Sequence, residues 1–70
     1  MTTFYQIIGQ ILAKERELQG LTQEELAEKM GVHRTSIGTV ERGEKNFTIK
    51  TIRKFSKALN YPLSKIFKDY

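Results

Sequence analysis

The residues from Gln23 to Arg42, QEELAEKMGVHRTSIGTVER, constrain the fold more than any other part of the chain. Ala27, Gly31, Ile37 and Val40 fall at spacings that let two short helices cross steeply around one tight turn. Ala27 is small where the two helices come close. Gly31 falls where the backbone needs a positive φ, which glycine alone takes at little cost. Ile37 and Val40 point back into the body of the domain. That leaves Arg34, Thr35 and Thr39 on the outward side of the second helix.

The rest of the chain reads as helix on either side. Phe4, Ile7, Ile8, Ile11, Leu12 and Leu18 recur at three- and four-residue spacing, which predicts a first helix over about 3–19 with those side chains inward. Gly20 supplies its C-terminal cap. Thr22 with Glu25 three residues on forms a capping box, and Glu24 and Glu25 favour the positive end of the second helix. Leu26, Ala27 and Met30 make its inner face. The third helix spans about 34–42 and stops at Gly43. Thr48 caps a fourth helix running to about Leu59, with Ile49, Ile52, Phe55 and Leu59 inward, and Asn60 suits a left-handed cap. Pro62 fits the first turn of a short fifth helix whose apolar members are Leu63, Ile66 and Phe67. No alternating β-branched run of strand length occurs. The expected fold is all-α, five helices, one domain over residues 1–70.

Two helices so arranged make a helix-turn-helix, whose second member enters the major groove of DNA. The charge distribution agrees. Residues 1–41 carry a net −2 and residues 42–70 a net +6. Basic charge therefore gathers just after the second helix of the motif, where a polyanion would be gripped. A solvated lysine-rich surface is the alternative reading of the charge alone.

Arg34 opens the third helix, where its guanidinium can bond O6 and N7 of a guanine in parallel. Thr35 beside it can meet a thymine methyl or a base edge, and Thr39 lies one turn on. Gly38 shares this stripe in the middle of the helix, at a cost of about 1 kcal/mol relative to alanine. Two explanations stand side by side: the bare backbone admits a close approach to a duplex, or the position is a tolerant one that drifted. Ser36 is placed for a phosphate. Gln23, at the start of the second helix, can hold a phosphate oxygen together with the free N–H groups there. Arg42, Lys45, Asn46 and Lys50 surround the loop after the third helix and are further candidates for phosphates. Arg16, near the inner edge of the first helix, and Glu41, after Val40, are placed to meet as a partly buried ion pair.

Other function classes find little support. With no cysteine there is neither a disulfide nor a thiolate metal site, which suits a reducing cytoplasm. His33 is a single imidazole without a ligand set. It can cap the third helix or reach a phosphate. Glu24, Glu25 and Glu28 read as a solvated face, because catalysis would need a pocket that this domain can hardly build. The chain is not expected to be an enzyme, and no cofactor, metal or small-molecule ligand is expected. No run approaches the roughly 20 apolar residues of a membrane span, and the N-terminus has no signal-peptide pattern. At this size only about 60% of the unfolded surface is buried, so an interface with a second copy would add stability.

GLTQEELAEKMGV followed by VERG is close to the consensus of the Cro and phage-repressor helix-turn-helix proteins, the XRE family, and the chain resembles that family from Ile7 to Phe67. The resemblance implies a lambda-repressor-like domain that binds palindromic operator DNA as a homodimer and regulates transcription. It implies that Arg34, Thr35 and Thr39 read bases, that Gln23 meets a phosphate, that phosphate contacts lie around Arg42 to Lys50, and that Arg16 pairs with Glu41. RTSI in the third helix and NFTIKTI in the fourth are similar to the restriction–modification controller subgroup, with compact repressors as the neighbouring class. Such a protein would be cytoplasmic and nucleoid-associated, in a bacterium or phage, and would stand alone without a sensor module. Its dimer seam is expected between the fourth and fifth helices, at Tyr61, Leu63, Ile66, Phe67 and Tyr70. Three positions depart from the family pattern: Gly38 for a polar residue, Phe47 for proline and Pro62 for a capping serine. A weakly polar reading helix also fits a second hypothesis, an antitoxin-like or adaptor module that keeps the fold and binds protein.

Overall fold

The computed structural model describes residues 2–44 and 46–70. Five helices follow in order: α1 (Phe4–Leu18), α2 (Gln23–Met30), α3 (Arg34–Glu41), α4 (Ile49–Leu59) and α5 (Leu63–Asp69). None is long and apolar enough to cross a membrane.

Side-chain caps set most of the boundaries. Thr22 and Glu25 form the expected reciprocal box, with Oγ1 accepting from the Glu25 N–H at 3.0 Å and Glu25 Oε1 accepting from the Thr22 N–H at 2.8 Å. A second box, not anticipated, joins Thr3 and Gln6 and starts α1 at Phe4. His33 Nδ1 accepts from the Thr35 N–H and caps α3, and Thr48 caps α4. Gly31 ends α2 at φ +68° and Asn60 ends α4 at φ +51°, both left-handed. Pro62 sits one residue earlier than expected. It is the cap before α5, its carbonyl accepting from the Lys65 and Ile66 N–H groups.

The core is drawn from all five helices. Ile8, Leu12, Leu26, Ala27, Ile37, Val40, Ile52, Phe55, Leu59 and Ile66 are buried together. Each fully buried Leu, Ile or Phe contributes about 1.5–3 kcal/mol relative to exposure. Three residues expected inside are not. Leu18 is 71% exposed, Ile49 58% and Phe4 36%. Leu18 lies two residues from buried Arg16, about 200° around the helix, so it sits at a rim with Ile11 and Tyr61. Phe4 and Ile49 are the first residues of their helices. The Phe4 ring instead stands edge-on to Tyr5 and Tyr70.

One close approach holds α3 in place. A Cβ built on Gly9 would lie 2.3 Å from the Val40 carbonyl oxygen and 2.6 Å from that of Glu41. Only a bare Cα lets α1 cross the C-terminal end of α3 at this distance. Gln19 adds a polar tie, its Nε2 donating to the Leu59 carbonyl at 2.6 Å.

Candidate nucleic-acid interface

The outward side of α3 is defined by what is locked behind it. Ile37 is fully buried and Val40 nearly so, and the two fix the rotation of the helix about its axis. Arg34, Thr35 and Ser36 are then exposed and Thr39 is half-buried. The Arg34 guanidinium lies 4.0 Å from the Glu24 carboxylate on α2, with both side chains largely in water. An exposed pair of this length contributes little and is readily exchanged for another anion or a base edge. Thr39 Oγ1 donates to the Thr35 carbonyl at 2.7 Å. Its proton is therefore committed, and towards a duplex it offers lone pairs and a methyl group.

Beside this edge runs a groove of about 330 Å³ between α3 and the start of α4. Thr35, Ser36 and Thr39 face Asn46, Thr48 and Thr51 across it. Thr48 and Thr51 are additions to the sequence-derived candidates. Their signal was the cap itself, which also presents hydroxyls at the start of α4. Lys50 is exposed in the first turn of α4. Lys45 lies outside the described residues.

Behind the edge sits a buried polar network. Arg16 Nε donates to Glu41 Oε2 at 2.6 Å and Arg16 Nη2 to Glu41 Oε1 at 3.2 Å. Arg16 Nη1 donates to the Leu21 carbonyl at 2.6 Å. Both side chains of the pair are 10% exposed or less. The carboxylate raises the arginine pKa from its ordinary value, chiefly through the hydrogen bond, against the lowering effect of burial. Among the described residues no buried side-chain polar atom lacks a partner.

Gln23 also belongs to this network. Its Nε2 donates to Glu41 Oε1 at 2.9 Å. One of its two amide N–H donors is occupied in the free chain, and the other is left for a phosphate. At this position the orphan backbone N–H groups of the α2 first turn remain for an anion. Gly38 is placed differently from expectation. It is buried beneath other side chains, where an added Cβ would lie 2.9 Å from Arg42 Nη1 and 3.5 Å from Gln23 Oε1. It shares the file of Arg34 but is covered there and not open to solvent. Arg42 Nε donates to Glu44 Oε2 at 2.8 Å. That bond raises the Arg42 pKa and holds the Glu44 carboxyl below its usual range.

The expected dimer seam needs one correction. Ile66 is fully buried in the core of the single chain, so it has no surface left to offer a second copy. Tyr61 and Leu63 are half-buried, and the Tyr61 hydroxyl donates to the Asp69 carboxylate. Phe67 and Tyr70 remain outside, 39% and 56% exposed.

These features define a helix-turn-helix domain, and the helix-turn-helix family model HTH_3 matches residues 12–66. The chain belongs to that family. Among its relatives, the control protein C.SmaI of Serratia marcescens is 43% identical over 61 residues, covering 87% of this chain and 73% of that protein. The crystal structure of the restriction–modification controller protein C.AhdI from Aeromonas hydrophila superposes with a TM-score of 0.79 at 38% identity, covering 86% of this chain and 87% of that one. The controller protein C.Esp1396I, solved as a tetramer on its natural 35-base-pair operator, superposes with a TM-score of 0.85 at 33% identity, covering 94% and 88%.

Proposed function

We propose that this chain is a sequence-specific DNA-binding transcriptional regulator of the restriction–modification controller type. It acts in the cytoplasm as a homodimer on palindromic operators and is not a catalyst. The observation that carries this reading is the exposed Arg34–Thr35 edge at the start of α3, held outward by buried Ile37 and Val40. The relatives named above, of which one is an operator complex, support the same reading.

In this mechanism α3 enters the major groove by its N-terminal end. Arg34 reads a guanine through two parallel hydrogen bonds, and Thr35 packs against a thymine methyl or bonds a base edge. Thr39 presents its methyl and lone pairs one turn further in. Ser36, Arg42, Asn46, Lys45 and Lys50 hold backbone phosphates, and Gln23 holds another through its second amide N–H together with the main-chain N–H groups of the α2 first turn. Phe67, Tyr70 and the outer edges of Tyr61 and Leu63 form the seam of the dimer. The two-fold axis then places two α3 helices about 34 Å apart, one turn of duplex, which makes the site a palindrome.

The test is selection of duplexes from a random library, followed by fluorescence anisotropy against salt. A palindromic consensus and a steep fall in affinity with salt are expected. Arg34→Ala should cost about 1–3 kcal/mol and relax the preference at one base position in each half-site. A chain that selects no sequence, and instead co-purifies with a stoichiometric protein partner, would overturn this reading in favour of an interaction module.

A further inference from the structure

The buried glycine of the reading helix has a specific neighbour. Residues 34, 38 and 42 form one file along α3 at four-residue spacing. Helical side chains lean towards the N-terminus, so Arg42 covers the turn at position 38. Its Nη1 atom occupies the space that a side chain there would need, 2.9 Å from an ideal Cβ, and Gln23 Oε1 closes the same space from α2. On its other side the guanidinium is gripped at Nε by Glu44. The guanidinium thus lies over the bare Cα of Gly38 with Glu44 as its polar partner, although its side chain is 56% exposed.

We propose that Gly38 is a positioning residue, and that its missing side chain is the seat that holds the Arg42 guanidinium ready for a backbone phosphate of the duplex. This rests on the DNA-binding function proposed above and goes beyond it. It assigns a cause to a helix-weakening glycine that neither base reading nor core packing explains. A cation already held in place loses less side-chain freedom when it binds. Gly38 therefore improves DNA binding at the expense of helix stability.

The two effects separate in Gly38→Ala. The obstructed atom is the end of a flexible side chain, so the chain still folds, and helix propensity should raise the melting temperature by roughly 4–8 °C. Affinity for a labelled random-sequence duplex should fall about two- to tenfold, the ordering cost of one freed arginine side chain. The slope of log affinity against log salt should stay that of the wild type, because the contact still forms, whereas Arg42→Gln should make it shallower by about 0.9. Arg42→Gln should lose at least as much affinity, and adding Gly38→Ala to Arg42→Gln should lose no more. Without DNA, the ¹H–¹⁵N nuclear Overhauser effect at Arg42 Nε should report an ordered group in the wild type and a mobile one in Gly38→Ala.

A Gly38→Ala protein with unchanged affinity would overturn the proposal. So would an equal loss in the Arg42→Gln background, or an Nε as ordered with alanine as with glycine. A wild-type chain that binds no duplex would instead defeat the DNA-binding reading, and the seat would then be judged by the Nε order alone.

Discussion

Glu41 is the residue whose removal should damage this domain most for its size. Its carboxylate accepts from Arg16 Nε, Arg16 Nη2 and Gln23 Nε2, and its side chain is only 6% exposed. Glu41→Ala leaves the Arg16 guanidinium buried with the Leu21 carbonyl as its remaining hydrogen-bond acceptor and the exposed Glu17 carboxylate, 3.7 Å away, as its one weak countercharge. Breaking a buried pair in this way costs about 3–5 kcal/mol, because the stranded charge cannot regain its hydration. A domain of this length has roughly 4–10 kcal/mol in total, so the substitution should remove close to half of it. The melting temperature should drop by at least about 12 °C, at 4–8 °C per kcal/mol. Removing both charges is a different perturbation. Arg16→Met with Glu41→Leu trades a costly desolvated pair for apolar packing and should come out far closer to wild type than Glu41→Ala. Urea melts followed by circular dichroism measure the wild type, Glu41→Ala, the double variant and its two single changes, with the slope m checking that the unfolded state is unchanged. A Glu41→Ala cost under about 1 kcal/mol, or a double variant as unstable as the two singles added, would refute the reasoning.

Two further expectations follow from named contacts. Gly9→Ala should destabilise by about 1–3 kcal/mol despite the gain in helix propensity, because the new methyl meets rigid carbonyls of α3 rather than a mobile side chain; a thermal melt showing Gly9→Ala more stable than wild type would contradict the crossing of α1 and α3. The Tyr61 pKa is pushed up to about 12, since ionisation loses the hydrogen bond to Asp69 and sets two anions together. A raised folded pKa means that this contribution to stability is whole below the unfolded value near 10 and is lost as the pH climbs through 12. Asp69→Asn should move the Tyr61 transition down towards 10 in an ultraviolet titration, and an unmoved transition would remove Asp69 as its cause.

The opposite signs expected at Gly9 and Gly38 show how much of this fold could be read in advance. Both are mid-helix glycines, and nothing in their local sequence distinguishes them. One faces backbone and the other the tip of an arginine. By contrast, the glycine that ends α2 and the asparagine that ends α4 were legible, because the left-handed turn they permit is a property of the residue itself. The capping box of Thr22 and Glu25 was legible for the same reason, since every atom involved lies within four residues. Apolar periodicity located most of the core but misplaced Phe4, Leu18 and Ile49. It marks a stripe on a helix, and it does not say how far along that stripe a neighbour extends.

In the candidate site the outward edge was legible and the polar wiring was not. Arg34 and Thr35 followed from the burial of Ile37 and Val40, a matter of helical phase. That Gln23 spends one of its two amide donors on Glu41, that Glu44 grips Arg42, and that Ile66 is used up inside the single chain are contacts of another order. Several partners could satisfy each of those side chains, and which one does depends on the angles at which five helices cross. Short-range chemistry in the chain determined where each helix begins, ends and turns its apolar side. Tertiary packing decided which polar atoms remain for a ligand, because a donor already satisfied inside the domain is withdrawn from its surface.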